Sequence, residues 1–239
     1  MITIDFRRID VRAGFRILDM GCGSGRHVGA FYERFRAMVI GADLNVNDLG
    51  AAVERLALHE SFATHKGGTW GLLAADITRL PFEDHSFDLV LCSEVLEHIP
   101  ADERAIHELL RILKPGRQLV VSVPRWWPEK LCWILSKTYT ASEGGHVRVY
   151  RKGPLVSKIR QAGTTYLSAH HAHSLHAPYW WLKCLVGIDN EAPLVIRLYK
   201  RLLTWDILQH PPLTRFIERM LNPLLGKSLV LYFRKDRPA

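Results

Sequence analysis

A chain of 239 residues that is 48% apolar, 23% charged and 10% aromatic can bury a substantial core and reads as one domain with insertions. That composition excludes a disordered chain, a collagen and a coiled coil, and no apolar run approaches the roughly 18 residues that would cross a bilayer. Charge is uneven: residues 1–150 carry 18 Lys and Arg against 19 Asp and Glu, whereas residues 151–239 carry 14 against 5, so the last third supplies the formal +8.

In chain order, strands are expected at 16–20, 39–43, 70–75, 87–92 and 117–123, with helices at 26–35, 47–59 and 102–113 between them. Lys114-Pro115-Gly116 is read as the stop of the third helix, because proline cannot continue it and glycine accepts a left-handed turn. Beyond Pro124 the alternation breaks down. A short helix at 126–137, a loop at Gly144-Gly145, a helix at 154–161 opened by proline and a strand at 164–170 are expected. Residues 178–223 read as two or three helices interrupted by Pro193, Pro211-Pro212 and Pro223, and 228–234 as a closing strand. Six of the seven tryptophans lie in this second part. The charged N-terminus has no apolar stretch behind it, and Cys22, Cys92, Cys132 and Cys184 stand 70, 40 and 52 positions apart, which fits neither a disulfide framework nor a zinc site. A cytoplasmic protein is expected.

The most specific local signal is Ile17-Leu18-Asp19-Met20-Gly21-Cys22-Gly23-Ser24-Gly25, a strand that ends in an acid and then glycines at alternate positions. Glycines let a ligand approach the backbone, and the helix that follows offers unpaired N–H groups. A nucleotide-type cofactor is indicated. A dinucleotide fingerprint would need a third glycine at position 26, which is Arg26, and this disfavours NAD and FAD.

With Gly41-Ala42-Asp43, Ala75-Asp76, Leu80-Pro81-Phe82, Phe87-Asp88-Leu89-Val90, Glu94-Val95-Leu96-Glu97-His98 and Leu113-Lys114-Pro115-Gly116, this loop resembles, in order and spacing, the class I S-adenosylmethionine (SAM)-dependent methyltransferases, in the style of the quinone-biosynthesis enzymes. The resemblance covers about residues 15–124. It implies a Rossmann-like, doubly wound, mostly parallel seven-stranded sheet with an antiparallel strand near the C-terminus. It implies a SAM-binding core at 1–124; because only about 15 residues precede the first strand, where many members of the family place a helical cap, substrate-side cap insertions are expected instead at 125–152 and 172–227, with a final strand at 228–235. Asp19 and the backbone of Gly21, Cys22 and Gly23 would face the methionine end of SAM. Asp43, beside Leu44, would take the ribose hydroxyls, and Asp76 with Ile77 the adenine. Ser93 and Glu94 would end the fourth strand at the ligand crevice, with His98 four residues on.

Methyl transfer to oxygen needs a group to remove the acceptor's proton. The candidates are His98, His146, and His171 and His173 of the run His170-His171-x-His173-x-x-His176. A packing or surface role for these histidines is the competing reading. No metal is expected, since no carboxylate or cysteine stands near that run in the sequence. The acceptor is read as small or lipid-like, methylated at oxygen with carbon as the next choice. A saccharide, a glycolipid or tRNA are alternatives, as is a SAM-binding partner subunit without turnover, and nucleic acid is disfavoured because the basic residues are interleaved with large apolar ones. Helices around Tyr179-Trp180-Trp181 and residues 194–203 combine apolar and basic faces, suited to a pocket wall or an anionic membrane surface. An ordinary amphipathic helix packed on the sheet is the plainer reading.

Overall fold

Ile17, Leu18 and the run Leu89–Cys92 are without solvent exposure, as strands covered on both faces by helices must be. The computed structural model describes residues 2–62, 66–136, 138–139 and 145–237. Its first half runs β1 (Arg16–Met20), α1 (Arg26–Arg34), β2 (Met38–Asp43), α2 (Val46–Ser61), β3 (Thr69–Ala74), β4 (Phe87–Ser93), α3 (Asp102–Ile112) and β5 (Leu113–Pro124). The second half runs α4 (Trp126–Leu135), α5 (Lys152–Gln161), β6 (Thr164–Ala172), α6 (His176–Val186), α7 (Leu194–Gln209), α8 (Pro212–Leu225) and β7 (Ser228–Lys235). Lys137, the expected end of α4, and Gly144 of the expected loop lie outside the described residues.

The seven strands lie in the order β3-β2-β1-β4-β5-β7-β6. β1 to β5 are mutually parallel, and β7 runs antiparallel to both β5 and β6. This is the expected mostly parallel, doubly wound sheet. Alternate strand residues supply two cores. Leu18, Val90, Cys92, Leu119 and Val121 pack with Ile106 and Leu109 of α3 and with Leu155 and Ile159 of α5. Ile17, Val39, Leu89, Leu91, Val120 and Tyr232 pack with α1, α2 and the N-terminal segment. Chain order reverses between β1 and β4, and in open α/β sheets the ligand crevice lies at the carboxyl ends of strands at such a switch point.

Two of the sequence patterns named above act as locks for this frame. Asp88 accepts from Lys114 Nζ at 2.9 and 3.0 Å and from the Arg16 amide at 3.1 Å, tying β4 to the start of β5 and of β1. Arg111 donates to the carbonyls of Leu80 and Phe82, and Glu108 accepts from the Leu80 amide at 2.8 Å, so α3 clamps the Leu80-Pro81-Phe82 turn.

Three local expectations are corrected. β5 begins at Leu113, directly after α3, rather than at 117; its register against β4 is irregular there, and Gly116, at φ +77°, lies in that irregular stretch. α5 starts at Lys152, leaving Pro154 in its first turn, where a missing N–H costs nothing. Pro223 lies inside the last turn of α8 rather than ending it.

Candidate active site

The turn after β1 has room for no side chain at its first position: a Cβ on Gly21, at φ +74°, would stand 2.1 Å from Val95 Cγ2. Gly23, at φ +50°, faces open space, a cradle that any Cβ would begin to fill. The loop's own amides are engaged. Gly21 N and Cys22 N donate to Ala42 O at 2.7 and 3.0 Å, and Gly23 N donates to Asp43 Oδ2 at 2.8 Å. Donors for an anionic ligand group therefore fall to the start of α1, whose first turn has no side-chain cap.

Asp43 is held at the end of β2 by that bond and by Asn45 N on Oδ1 at 2.9 Å, while Asn45 caps α2. A cleft of ≈ 330 Å³ opens here, lined by the glycine loop, Arg26 and His27, by Asp43 and Leu44, by Asp76 and Ile77, and by Ser93, Glu94 and His98. Asp76 Oδ1 accepts from Thr78 N at 2.8 Å and Oγ1 at 2.9 Å, bonds that hold its carboxyl below the usual range. Asp19 is fully buried, is absent from the cleft wall and has no hydrogen-bond partner on either oxygen. Burial pushes it up to about 7, with Arg26 opposing and Asp43 adding to the rise.

At its inner end the cleft meets a polar cluster carried by the β4–α3 turn, α4 and the segment before α5. Glu94 takes a left-handed backbone, φ +58°, and its Oε1 accepts from Ser122 Oγ at 2.9 Å, with Ser93 Oγ a further 2.8 Å from Ser122. His98 ends a short 3-10 turn at Leu96–His98, so Glu94 and His98 share the cleft without sharing a helix. The His98 and His146 rings lie 4.9 Å apart, edge to face. His146 Nδ1 is 2.6 Å from Glu129 Oε1, and Tyr139 OH donates to Glu129 Oε2 at 3.2 Å. Because an ionised carboxylate only accepts, Nδ1 carries the proton and Nε2 is the basic nitrogen. Val147 N donates to Glu97 O at 2.9 Å, and Tyr150 OH to Asp102 Oδ2 at 2.6 Å, which pins the His146 segment to the core.

Burial works against ionisation of Glu129, but His146, Lys227 and Tyr139 prevail and hold it below the usual range. Burial, reinforced by the neighbouring Glu94, pushes Glu97 well above that range, and neither of its oxygens has a hydrogen-bond partner. Burial also raises Glu94, against the charge of Lys227 and the Ser122 bond. Around the histidine pair, Glu129 is thus biased towards its ionised form and Glu94 and Glu97 towards their protonated forms.

A methyltransferase-domain model matches residues 18–121. The chain is 31% identical over 195 residues to 24-methylenesterol C-methyltransferase 2 of Arabidopsis thaliana, across 75% of this chain and 49% of that one. It is 35% identical over 113 residues to demethylmenaquinone methyltransferase of Thermobifida fusca, across 47% and 45% of the two. Its fold is similar to phosphoethanolamine N-methyltransferase 2 of Haemonchus contortus solved with SAM, with TM-score 0.60 and 18% identity over 97% of this chain and 51% of that one. Residues 18–121 thus carry a methyltransferase domain, similar to those of the class I SAM-dependent methyltransferases. The chain spans about half the length of these relatives.

The residues at the switch point fit the methyltransferase cofactor. The buried Asp19 carboxyl, with His27 Nδ1 4.0 Å from its Oδ1, suits the neighbourhood of an ammonium group, Gly23 leaves space for the ligand, and the uncapped start of α1 suits a carboxylate. Asp43 and Asp76, with Leu44 and Ile77 beside them, line the same cleft as Ser93 and Glu94.

The structure brings His98 and His146 together but not His171 or His173. β6 does run parallel to β1–β5, yet its carboxyl end serves the N-terminal segment. His173 Nε2 is 3.3 Å from Thr3 Oγ1 and His170 Nε2 is 3.2 Å from Thr3 O, while His171 lies in a separate cavity with both of them. Burial lowers all three rings, His171 to about 4.

Among the described residues, two groups have ligand atoms within 4.8 Å of one another, a spacing that could hold a cation: Glu97, His98 and His146, and His173, His176 and Glu218. In the second, Glu218 comes from α8, a carboxylate too remote in sequence to place beside the histidine run. Arg215 Nη1 already lies 2.9 Å from it.

Glu129, Tyr139, Lys227 and His27 were not singled out from the sequence. For Glu129 a signal existed: it is the only acid in the aromatic stretch 126–137, and a charge placed there needs a buried partner.

Proposed function

We propose that this protein transfers the methyl group of SAM to a hydroxyl of a small, lipid-like acceptor, with His146 as general base and Glu129 as the group that orients it. The observation that carries this reading is the 2.6 Å Glu129–His146 contact, one ring away from His98 on the cofactor cleft. When bound, SAM supplies an electrophilic methyl group on a sulfonium sulfur. The chain's own work is to position the acceptor oxygen and to remove its proton. His146 Nε2 would take that proton as the acceptor oxygen gains the methyl group and the donor sulfur, losing it, leaves as a neutral thioether. Glu129, ionised, keeps the proton on Nδ1 and steadies the imidazolium. Trp180, Tyr139 and Trp133 supply apolar surface around this pair for the body of the acceptor: Trp133 Nε1 donates to Glu129 Oε1 at 3.2 Å and Trp180 lies 6.1 Å from the Tyr139 ring.

Methylation at carbon is the second reading. Glu129, kept ionised, with the faces of Tyr139 and Trp180 beside it, offers an electron-rich wall suited to a cation developing on an alkene. The test is transfer from methyl-labelled SAM into fractionated lipids and small metabolites, followed by identification of the labelled bond. A label on oxygen, lost with His146→Ala, supports the first reading. A label on carbon supports the second, and no transfer to any fraction contradicts both.

A further inference from the structure

The helices α7 and α8 touch the rest of the protein along one narrow seam each. On α7 the buried residues are Ile196, Leu203 and Asp206, and on α8 they are Thr214 and Glu218. The outward faces are apolar. Leu194, Leu198, Leu202, Trp205 and Leu208, at helical spacing along α7, are between 45% and 70% exposed. On α8 a second stripe, Leu213, Phe216, Met220 and Leu224, is between 60% and 67% exposed. Two stripes of this kind, on consecutive helices tied by the Asp206–Arg215 ion pair, exceed the scattered single apolar residues of an ordinary protein surface.

Charge decides what covers them. Between residues 194 and 225 the cations are Arg197, Lys200, Arg201, Arg215 and Arg219, and the acids are Asp206 and Glu218. Both acids are buried and both are bonded to Arg215. The exposed surface of the hairpin therefore carries Arg197, Lys200, Arg201 and Arg219 with no acid from these helices, although Glu191, just before α7, bonds Lys200 at 2.8 Å. A shallow hollow on α7 is lined by Arg197, Lys200, Arg201, Thr204, Trp205 and Leu208, placing guanidinium groups beside an indole. A second copy of this chain would bring the same cations against each other. A surface of anionic headgroups over acyl chains answers both features at once.

We infer that α7 and α8 form a membrane-docking hairpin that lies in the interface of a bilayer rich in anionic lipid, with its apolar stripes among the acyl chains and its arginines at the phosphates. No described helix is long and apolar enough to cross the membrane, so the attachment is peripheral. α6 packs on α7 and carries Trp180 against Tyr139, which bonds Glu129, so the hairpin adjoins the acceptor side of the site. The inference does not depend on the acceptor being a lipid.

The test is co-sedimentation of the full chain with vesicles of phosphatidylcholine alone or mixed with phosphatidylglycerol. At low salt the protein is expected to pellet with the mixed vesicles only. It is expected to return to the supernatant in about 1 M NaCl, where the Debye length falls to about 3 Å. Neutralising Arg197, Arg201 and Arg219 to Gln together is expected to lower partitioning on the order of 100-fold, at about fivefold per cation. Phe216→Ser with Met220→Ser is expected to abolish docking without changing SAM affinity, which also reports that the variants are folded. Equal pelleting with both vesicle types, or with neither, overturns the proposal. So does a concentration-dependent dimer that is dissolved by Phe216→Ser. If either variant misfolds, the lipid and salt dependence of the unaltered protein still decides.

Discussion

Protonation sets what each carboxyl around His146 can do. Glu129 is the one kept ionised, so it can hold an imidazolium, whereas Glu94 and Glu97 retain protons to higher pH and can donate. His146→Ala is expected to lower kcat by about 10²–10⁴-fold, the usual contribution of a general base, with SAM affinity unchanged in calorimetry. Glu129→Gln should move kcat in the same direction with KM little altered, because it disturbs orientation rather than binding. Asp19 gives a separate pH signature. Its carboxyl is raised from 3.8 to about 7, so the folded state holds an extra proton between those values. Its contribution to stability is complete below about pH 4 and is lost as pH rises through about 7. In thermal unfolding without ligand, Asp19→Asn should therefore gain on the unaltered protein as pH rises across that window. An equal offset at all pH values would contradict the assignment.

At the scale of elements, the N-terminal segment is tied down by partners far away in sequence. Thr3 N donates to His27 Nε2 at 3.1 Å, and Asp5 N donates to Tyr232 OH at 2.8 Å. The His27 bond requires a neutral ring, and burial, helped by the charge of Arg26, lowers His27 from 6.5 to about 3. This group stabilises fully above about pH 6.5, and its contribution is lost as pH falls towards 3. Hydrogen exchange at the Thr3 amide should accordingly show protection falling over that acid range. Tyr232→Phe should cost about 0.5–1.5 kcal/mol in denaturant unfolding, since it removes one half-buried hydrogen bond and leaves the ring packing intact. These ties explain why the histidine run of β6 misled the sequence reading. A strand's direction was foreseeable, but which segment packs against its end depends on chain neighbours 167 to 170 positions apart.

Over the whole molecule, legibility followed locality. The strands and helices of residues 16–123 were readable because buried parallel strands are continuous apolar runs and their turns carry fixed glycine, proline and aspartate chemistry. Asp43, Asp76 and the glycine loop were readable for the same reason, since each sits at the carboxyl end of its own strand. The acceptor side was not. It is assembled from α4, the segment at His146, α6 and Lys227, where no local pattern records that Glu129 would meet His146 seventeen positions on. The amides of Gly21, Cys22 and Gly23 look available in the sequence, and only the pairing of β1 with β2 shows that they are engaged by Ala42 and Asp43.

The central claim is that SAM binds at the β1–β2–β4 switch point and is held there by Asp43. Calorimetric titration of the protein with SAM, beside Asp43→Ala, tests it most directly. The account requires one saturable site that Asp43→Ala weakens by about 1–3 kcal/mol, the scale of a lost hydrogen bond to a charged group. No saturable binding of SAM, or unchanged affinity in Asp43→Ala, would contradict it.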